Sequence, residues 1–396
     1  MVINIPSYVK VIMNRIDAAG HECFAVGGSL RDLLLGKEPH DWDVTASALP
    51  EETMALFPDM HVIPTGIQHG TVTVVSEGFP IEITTYRVDG EYTDSRRPDK
   101  VEFTRNIEDD LSRRDFTVNA LAYNEKRGLL DLFGGKEDLE NKILRAVGDP
   151  EKRFTEDALR IMRAFRFSAQ LGFDIEESTL AAAKKLSPRL KNIARERIGS
   201  EFMRLLASSY PEKALSLMEN VIFEILPINN IEKNRFSLVE KLPEGGAARL
   251  ALLLYGKTHE ELLNVAHSLR LSGEQKGILT LLSSPVNDNF DLSPLSARRF
   301  MRRYGKNSEA AARMLTLLGV IEPNFEKILA AEAEKAPCLS LDRLAISGGD
   351  LISLGLASGK GVGILLSSLL DAVIENPEIN EKSKLIDLAR KMVWKI

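Results

Sequence analysis

The sequence predicts an α+β head built on a small mixed sheet, followed by all-α domains to the end of the chain. Short β-branched runs separated by glycine turns, at residues 62–63, 71–75 and 81–86, lie in the first part of the chain. From Pro150 onward, apolar residues recur at helical spacing instead. The length of 396 residues exceeds one ordinary core, so about two to four domains are expected.

Composition and charge narrow the class of protein. Hydrophobic residues at 44% and charged residues at 27% are typical of a soluble globular chain. Apolar runs are short or interrupted by serines, so we expect no membrane segment and a cytoplasmic protein. Two cysteines, Cys23 and Cys338, argue against a disulfide framework and a cysteine zinc site. A net charge of −6 argues against bulk binding of nucleic acid, although clustered arginines leave room for a local basic surface.

The head begins with an amphipathic helix over residues 6–19 and a buried strand over residues 23–26. Two glycines, ending at Gly28, then give a tight turn whose backbone can approach a ligand closely. Ser29 is expected to cap a helix over residues 30–35, which would point its free N–H groups at the glycines and hold phosphate. The alternative is a plain turn before a helix.

Two aspartates follow this turn. If residues 41–45 form a strand, Asp41 and Asp43 face the same side, and a carboxylate pair of this kind can bind Mg²⁺. Two solvated acids are the alternative. Glu82, on the strand predicted over residues 81–86, is either a third acid beside them or an edge-strand acid.

The later part of the head contains a polar segment and an arginine pair. Residues 88–104 are rich in turn formers and lack periodicity, which predicts a mobile loop. In residues 111–121, Arg113, Arg114 and Asn119 interrupt a sequence otherwise able to form helix. Arginines there can bind phosphate oxygens bidentately, whereas a solvated basic face is the structural alternative.

The rest of the chain is predicted to be helical. The glycine-rich residues 355–363 fail the spacing of a phosphate-binding loop, because Gly361 follows Lys360 and no strand precedes it, so a helix-capping connection is favoured. The clearest helical patterns cover residues 50–57, 153–171, 177–186 and 195–206.

Acids and arginines recur every third position over residues 156–167, with apolar residues between them. On one continuous helix, Asp157 and Arg160 would be neighbours about one turn apart, while Arg163 and Arg166 wind toward a further face. Surface salt bridges are the plain alternative. Beside a phosphate site, contacts to a nucleotide are the favoured interpretation.

The order of these motifs resembles that of a known family, the bacterial class II tRNA nucleotidyltransferases, or CCA-adding enzymes. They belong to the nucleotidyltransferase superfamily that includes DNA polymerase beta. The resemblance is strong over residues 20–205, looser over 347–380, and rests on helical character alone over 207–335. The motifs are Gly-Gly-x-x-Arg-Asp (27–32), Asp-x-Asp (41–43), Arg-Arg-Asp-Phe-x-x-Asn-Ala (113–120), Asp-x-x-Gly-Gly (131–135) and Glu-Asp-x-x-Arg-x-x-Arg-x-x-Arg-Phe (156–167).

This resemblance implies a domain organisation and an activity. The expected domains are a nucleotidyltransferase head with a DNA polymerase beta-like mixed sheet (1–148), a helical neck (149–206), a helical body (207–335) and a helical tail that binds tRNA (336–396). The expected activity is template-independent addition of CCA to the tRNA acceptor end from CTP and ATP. The resemblance leaves the oligomeric state open.

It also implies roles for individual residues. Asp41 and Asp43 would be catalytic and would bind two Mg²⁺ ions. Nucleotide contacts would come from Gly28, Arg31, Arg114, Asp157, Arg160, Arg163 and Arg166.

Three alternatives stay open at this point. Bacterial poly(A) polymerases share the head but tend to carry a basic C-terminal extension, which this acidic chain does not show. Enzymes that add only A or only CC are a second alternative, although the loop motif Asp89-x-x-Tyr92-x-Asp94-x-Arg96-Arg97-Pro98 favours addition of the terminal A. The third is a non-catalytic RNA-binding protein, against which the two intact aspartates argue.

Overall fold

The computed structural model describes residues 3–39, 41–89, 101–243, 245–286 and 290–393. Internal contacts divide the chain into two compact units, Met1–Phe236 with Asn264–Leu271, and Ser237–Leu263 with Ser272–Ile396. The four-part division into head, neck, body and tail stays a prediction. Within the described ranges, no helix combines the length and apolar character needed to cross a membrane.

The first unit contains the predicted mixed sheet. The strands of this unit are β1 (Cys23–Val26), β2 (Asp43–Ala46), β3 (His61–Gly66), β4 (Thr71–Ser76), β5 (Phe79–Thr85), β6 (Arg87–Asp89), β7 (Val101–Phe103), β8 (Leu121–Asn124), β9 (Gly128–Asp131), β10 (Ile143–Leu144) and β11 (Asp174–Ile175). Seven of them form the sheet in the order β3-β4-β5-β2-β1-β8-β9. The β2–β5 pair is parallel and the other neighbours are antiparallel. The head prediction is therefore confirmed.

Helices pack on this sheet and then replace it. The first helix buries Val9, Ile12, Met13 and Ile16, the spacing of one helical face, and contacts β1 and β4. The helices of this unit are α1 (Ser7–Ala18), α2 (Gly28–Leu34), α3 (Pro50–Leu56), α4 (Ile107–Ser112), α5 (Gly135–Glu140), α6 (Pro150–Glu156), α7 (Leu159–Leu171), α8 (Glu177–Leu186), α9 (Arg195–Leu206), α10 (Pro211–Leu217) and α11 (Ile222–Ile225).

The single helix predicted over residues 153–171 is wrong, because α6 and α7 are separate. Asp157 lies between them with extended backbone (φ −138°, ψ 105°). Its Oδ1 accepts a hydrogen bond from the Leu159 N–H at 2.9 Å. An aspartate that binds a nearby backbone N–H competes with helix continuation, which explains the break. The expectation that residues after Pro150 are helical throughout also fails at β11, which pairs in parallel with β10.

The predicted loop over residues 88–104 is structured at both ends. Strands β6 and β7 form an antiparallel ribbon in which Asp89 pairs with Val101. The interior of the predicted loop, residues 90–100, lies outside the described residues. The prediction of an irregular segment is therefore wrong at its ends and untested in its middle.

Most of the remaining helices belong to the second unit, and the helix His259–Ser268 is divided between the two units. Arg298, 7% exposed, donates to Glu332 Oε1 at 2.6 Å and to the carbonyls of Ile374 and Glu375. This buried pair joins three helices of the second unit. The predicted helix-capping connection over residues 355–363 is confirmed, because Gly359 is the N-cap of the helix Lys360–Glu375. The helices are α12 (Phe236–Val239), α13 (Gly246–Leu253), α14 (His259–Ser268), α15 (Gly273–Ser283), α16 (Pro294–Tyr304), α17 (Ser308–Leu317), α18 (Asn324–Ala333), α19 (Gly348–Ser353), α20 (Lys360–Glu375) and α21 (Lys382–Val393).

Candidate active site

A cavity of about 620 Å³ in the first unit contains most of the predicted site residues. Eight arginines and four carboxylates line it, although the whole chain carries a net charge of −6. This concentration of guanidinium groups suits a polyanionic ligand. The charged lining residues are Arg31, Asp43, Glu82, Arg87, Arg113, Arg114, Asp115, Asp157, Arg160, Arg163, Arg166 and Arg197.

The glycine turn brings backbone up to this cavity. Gly27 has φ +75°, a conformation that favours glycine, and a Cβ there would lie 3.1 Å from Arg114 Nη1. Gly28 lines the cavity and begins α2. The expected cap at Ser29 is wrong, because its Oγ lies inside the helix and donates to the Val26 carbonyl at 3.1 Å. Since α2 has only seven residues, phosphate binding is better assigned to the arginines than to its dipole.

The two aspartates lie at the start of β2, not both within it. The strand begins at Asp43, so the strand predicted from residue 41 is wrong at its first two positions. Asp41 and Asp43 are exposed while Trp42 between them is 3% exposed. This alternation is what two carboxylates on one side of an extended segment require. Only Asp43 of the two lines the cavity.

Glu82 lies directly beside Asp43, since β2 and β5 pair in parallel with these two residues in register. The structure therefore favours a third acid at the cavity wall over an unrelated edge-strand acid. Partial desolvation raises the pKa of the Asp43 carboxyl; Glu82 and Asp41 add to this increase, and Arg114 opposes it. Within the described ranges, no three His, Cys, Asp or Glu side chains are already arranged as a metal site.

Arg31 and Arg114 line the cavity on either side of Asn119. Arg31 is 5% exposed, pairs with Asp32 at 2.7 Å and donates to Asn119 Oδ1 at 2.8 Å. Arg114 Nη2 pairs with Asp110 Oδ2 at 3.2 Å. The buried Nε of Arg114 has no hydrogen-bond partner within the described residues. A ligand oxygen that reached this nitrogen would satisfy it.

Helix α7 supplies two more of the predicted arginines, held around one aromatic ring. Arg163 pairs with Asp115 at 2.6 Å, and Arg166 pairs with Glu201 at 2.5 Å. The guanidinium carbons of Arg163 and Arg166 lie 5.2 and 3.9 Å from the centroid of the Phe167 ring. The contacts with the ring help to hold both guanidinium groups in place without adding negative charge.

Asp157 and Arg160 both line the cavity but are not a facing pair on one helix. Arg160 donates to Glu156 Oε2 at 2.7 Å and to the Arg113 carbonyl at 2.9 Å. The guanidinium that meets the Asp157 carboxylate is that of Arg197, at 3.2 Å. The helix breaks between α6 and α7, but the Arg160 N–H donates to the Asp157 carbonyl at 3.0 Å, so the two residues remain one turn apart while their side chains bind other partners.

Sequence reasoning missed several contributors, among them Arg197, Phe167 and Asp110. Arg197 lies on α9, 40 residues from its partner, so no local spacing indicates the contact. Phe167 resembles an ordinary core residue in sequence. Asp110 was detectable, because it precedes Arg113 and Arg114 by three and four positions, which is the spacing of a helical acid–arginine pair.

Asp115 is the most strongly perturbed acid of the cavity wall. Burial opposes its ionisation, but the Arg163 charge and hydrogen bonds from Asn119 and Arg163 outweigh this and lower its pKa to about 2. The ordinary pKa of such a carboxyl is 3.8. The charged form therefore stabilises the fold above about pH 4, and this contribution disappears as the pH falls from about 4 to 2.

We expect Asp115→Asn to lower the free energy of unfolding at pH 7 by about 2 kcal/mol. The physical reason is that Arg163 would lose its counter-charge. Urea unfolding at a series of pH values checks this, and the difference in free energy of unfolding between the variant and wild type should become smaller below pH 4. Asp174→Asn, which breaks the exposed Asp174–Lys213 pair, is the control and should cost less than about 1 kcal/mol. A gap that does not depend on pH would contradict the electrostatic explanation.

A mixed sheet that presents strand-borne carboxylates to a cavity lined by arginines defines a nucleotidyltransferase of the DNA polymerase beta type. Residues 23–145 match the family described as "Poly A polymerase head domain". Residues 172–226 match the "Probable RNA and SrmB- binding site of polymerase A".

Relatives extend this match over the whole chain. The CCA-adding enzyme of Leuconostoc mesenteroides is 38% identical over 395 residues, which cover 96% of this chain and 95% of the relative. The crystal structure of the Bacillus stearothermophilus CCA-adding enzyme in complex with CTP superposes with a TM-score of 0.80 at 30% identity, covering 98% of both chains. The Thermotoga maritima CCA-adding enzyme complexed with tRNA_CCA, 22% identical over 98% of this chain and 96% of the other, shares the fold with a TM-score of 0.70. The chain belongs to the CCA-adding enzyme family.

Proposed function

We propose that this chain adds C, C and A to the 3′ end of tRNA, using CTP and ATP and releasing pyrophosphate. The observation that carries the proposal is the cavity itself, which Asp43 and Glu82, in register on neighbouring strands, line together with an excess of arginines. A nucleoside triphosphate has the charge and size that such a cavity accepts. Family membership supplies the tRNA substrate and the order of addition.

Family membership also indicates use of a divalent cation, which we take to be Mg²⁺, with two ions bound. The residues fit this group, because partial desolvation and the neighbouring acids raise the pKa of the Asp43 carboxyl, and a cation would relieve the excess of negative charge. Asp41 and Asp43 would hold the metal, with Glu82 beside them. When bound, Mg²⁺ would lower the pKa of the attacking 3′-hydroxyl and offset the charge of the departing pyrophosphate.

The other residues act by positioning the nucleotide. Gly28 lets the triphosphate approach the backbone, and Arg31 and Arg114 flank that approach. Arg163 and Arg166 line the same cavity, each held by an acid and by the Phe167 ring. Fixed cations of this kind bind phosphate oxygens with little reorganisation, so they can hold the phosphates in line for transfer.

The proposal is tested by incubating the purified chain with Mg²⁺ and labelled CTP or ATP. The primers are tRNAs that end before the first C, after one C, and after CC. Sequencing the product ends should show completion to CCA on all three primers and no further extension. Addition of A alone, of CC alone, or of long A tracts would assign one of the alternative activities. No incorporation on any primer would overturn the assignment as an enzyme.

Shortening the segment between β6 and β7 is expected to impair addition of A selectively. Because Asp89 pairs with Val101, residues 90–100 can be replaced by an Asn-Gly turn without disturbing the ribbon. The family resemblance assigns this segment to the switch from C to A. We expect A addition to a CC-ending tRNA to fall at least about tenfold, or about 1.4 kcal/mol, while C addition is largely retained.

The measurement is kcat/KM for CTP and for ATP on matched primers. A second variant that replaces the segment by eleven Gly and Ser residues keeps its length and controls for simple shortening. Equal losses of C and A incorporation in a folded variant would contradict the proposed role.

The cytoplasmic location stays a prediction of the sequence.

A further inference from the structure

Asp110 is a fully buried carboxylate directly behind the arginine side of the cavity. Its side chain is 0% exposed and does not line the cavity. Arg113 donates to Oδ1 through Nε at 3.0 Å and Nη2 at 2.7 Å, and Arg114 donates to Oδ2 through Nη2 at 3.2 Å. The Arg87 backbone N–H and the Thr45 hydroxyl approach the same carboxylate at 3.4 and 3.5 Å. One acid thus joins α4 to β2, to β6 and to two cavity arginines.

The charge balance at this point favours a role beyond packing. A buried carboxylate is costly unless cations compensate it, and here two guanidinium groups do so. Desolvation would raise the pKa of the Asp110 carboxyl, but the charges of Arg114 and Arg113 outweigh it and hold that pKa below its ordinary value. The surplus positive charge belongs to two side chains that line the cavity.

Arg114 is the side chain through which Asp110 reaches the site. A Cβ placed on Gly27 would lie only 3.1 Å from Arg114 Nη1, so this guanidinium lies close to the glycine turn. Arg114 and the Asp43 carboxylate line the same cavity. A guanidinium between turn and carboxylate has little freedom when its other end is held by a fixed anion.

We propose that Asp110 is a positioning residue for the nucleoside triphosphate, acting through Arg113 and Arg114. The inference rests on the proposed function for the identity of the ligand. Removal of its charge takes away the ion pairs through which Asp110 helps to orient both arginines. The loss then appears mainly in binding of the triphosphate, for CTP and ATP alike, and less in the rate of the bound complex.

The chain offers a matched control in Asp138. This acid is 5% exposed, pairs with Arg145 at 3.1 Å and accepts a hydrogen bond from Thr117 at 2.7 Å. It lies in the same unit, yet neither it nor these partners line the cavity. A general effect of deleting a buried carboxylate therefore appears in both variants, whereas an effect on the triphosphate appears only at Asp110.

The test compares Asp110→Asn, Asp138→Asn, Arg114→Gln and the double variant Asp110→Asn/Arg114→Gln. We measure kcat and KM for CTP and ATP, and also the dissociation constant for CTP without tRNA. Asp110→Asn should raise KM and the dissociation constant at least about tenfold, which corresponds to about 1.4 kcal/mol. Asp138→Asn should leave both near the wild-type values. The double variant should have a dissociation constant less than about threefold above that of Arg114→Gln alone, because the effects of substitutions at contacting residues are not additive.

The outcomes separate this inference from the proposed function. CTP binding without any transfer would overturn the function, whereas the Asp110 effect is still decided by the dissociation constants. Equal changes in the Asp110 and Asp138 variants, or full additivity with Arg114→Gln, would overturn the inference. If Asp110→Asn does not fold, Asp110→Asn/Arg113→Gln replaces it, with Arg113→Gln as reference. If Asp110→Asn/Arg113→Gln and Arg113→Gln have the same dissociation constant for CTP, the inference is likewise overturned.

Discussion

Replacing Asp43 by asparagine is expected to abolish addition of both C and A while the fold persists. The side chain is exposed at the cavity wall and its strand neighbours supply the core, so the change removes charge and little packing. If Asp43 holds the metal as proposed, its loss costs several kcal/mol of electrostatic stabilisation, so kcat/KM should fall by about three orders of magnitude or more. The same result is expected for Asp41→Ala.

The assay uses a tRNA primer with CTP or ATP at saturating Mg²⁺, and circular dichroism and thermal unfolding report on the fold. Asp59→Asn is the control, because Asp59 is an exposed acid of the same unit that pairs with Arg15 at 2.6 Å, outside the cavity. Its activity should match wild type. Near-normal turnover by either catalytic-site variant would place the metal site elsewhere.

The second large effect concerns the choice of base, and it rests on Asp157 and Arg160. Cytosine and adenine both present an amino donor beside a ring-nitrogen acceptor, so a carboxylate next to a guanidinium matches either base. Uracil and guanine present the opposite pattern. A bidentate match is worth about 1–3 kcal/mol, or roughly ten- to a hundredfold. Asp157→Ala and Arg160→Ala should therefore lower use of CTP and ATP far more than use of UTP and GTP.

The structure adds a third participant to this hypothesis. Arg197 holds the Asp157 carboxylate at 3.2 Å, whereas Arg160 is held by Glu156 at 2.7 Å. Arg197→Ala should therefore also reduce the preference for CTP and ATP over UTP and GTP. Asp157→Asn sharpens the test, because its amide oxygen can still accept the N–H of Leu159 that begins α7. Arg160→Lys should also weaken selectivity, since an ammonium lacks the planar fork.

The comparison is kcat/KM for all four triphosphates on one primer. Arg204→Ala is the matched control, since it is an exposed arginine on the same helix as Arg197 and does not line the cavity. The preference for CTP and ATP should narrow by at least about tenfold in the site variants and stay unchanged in the control. If kcat/KM falls by the same factor for all four triphosphates, these residues only support the helices.

Local patterns predicted most of the elements near the site. Helices over residues 177–186 and 195–206 begin and end where their periodicity does. The strand after Gly20, the glycine turn and the Asp-x-Asp pair also lie where short-range spacing places them. These features depend on neighbours within a few residues, so the sequence contains the information that forms them.

The break at Asp157 shows where such reasoning stops. Helical periodicity continues through residues 153–171, but the aspartate binds a backbone N–H instead of continuing the helix. Periodicity cannot reveal this competition, because both arrangements bury the same apolar face. The β6–β7 ribbon at the ends of the polar segment was missed for the related reason that strand pairing depends on a partner about a dozen residues away.

Residue types and their order were thus sufficient to predict the class of fold and most of the charged side chains that line the cavity. Tertiary structure alone decided how they are paired. It placed Glu82 beside Asp43 across a parallel strand pair and Arg197 on the Asp157 carboxylate. The reason is that an ion pair between distant segments depends on how sheet and helices pack, which no spacing along the chain specifies.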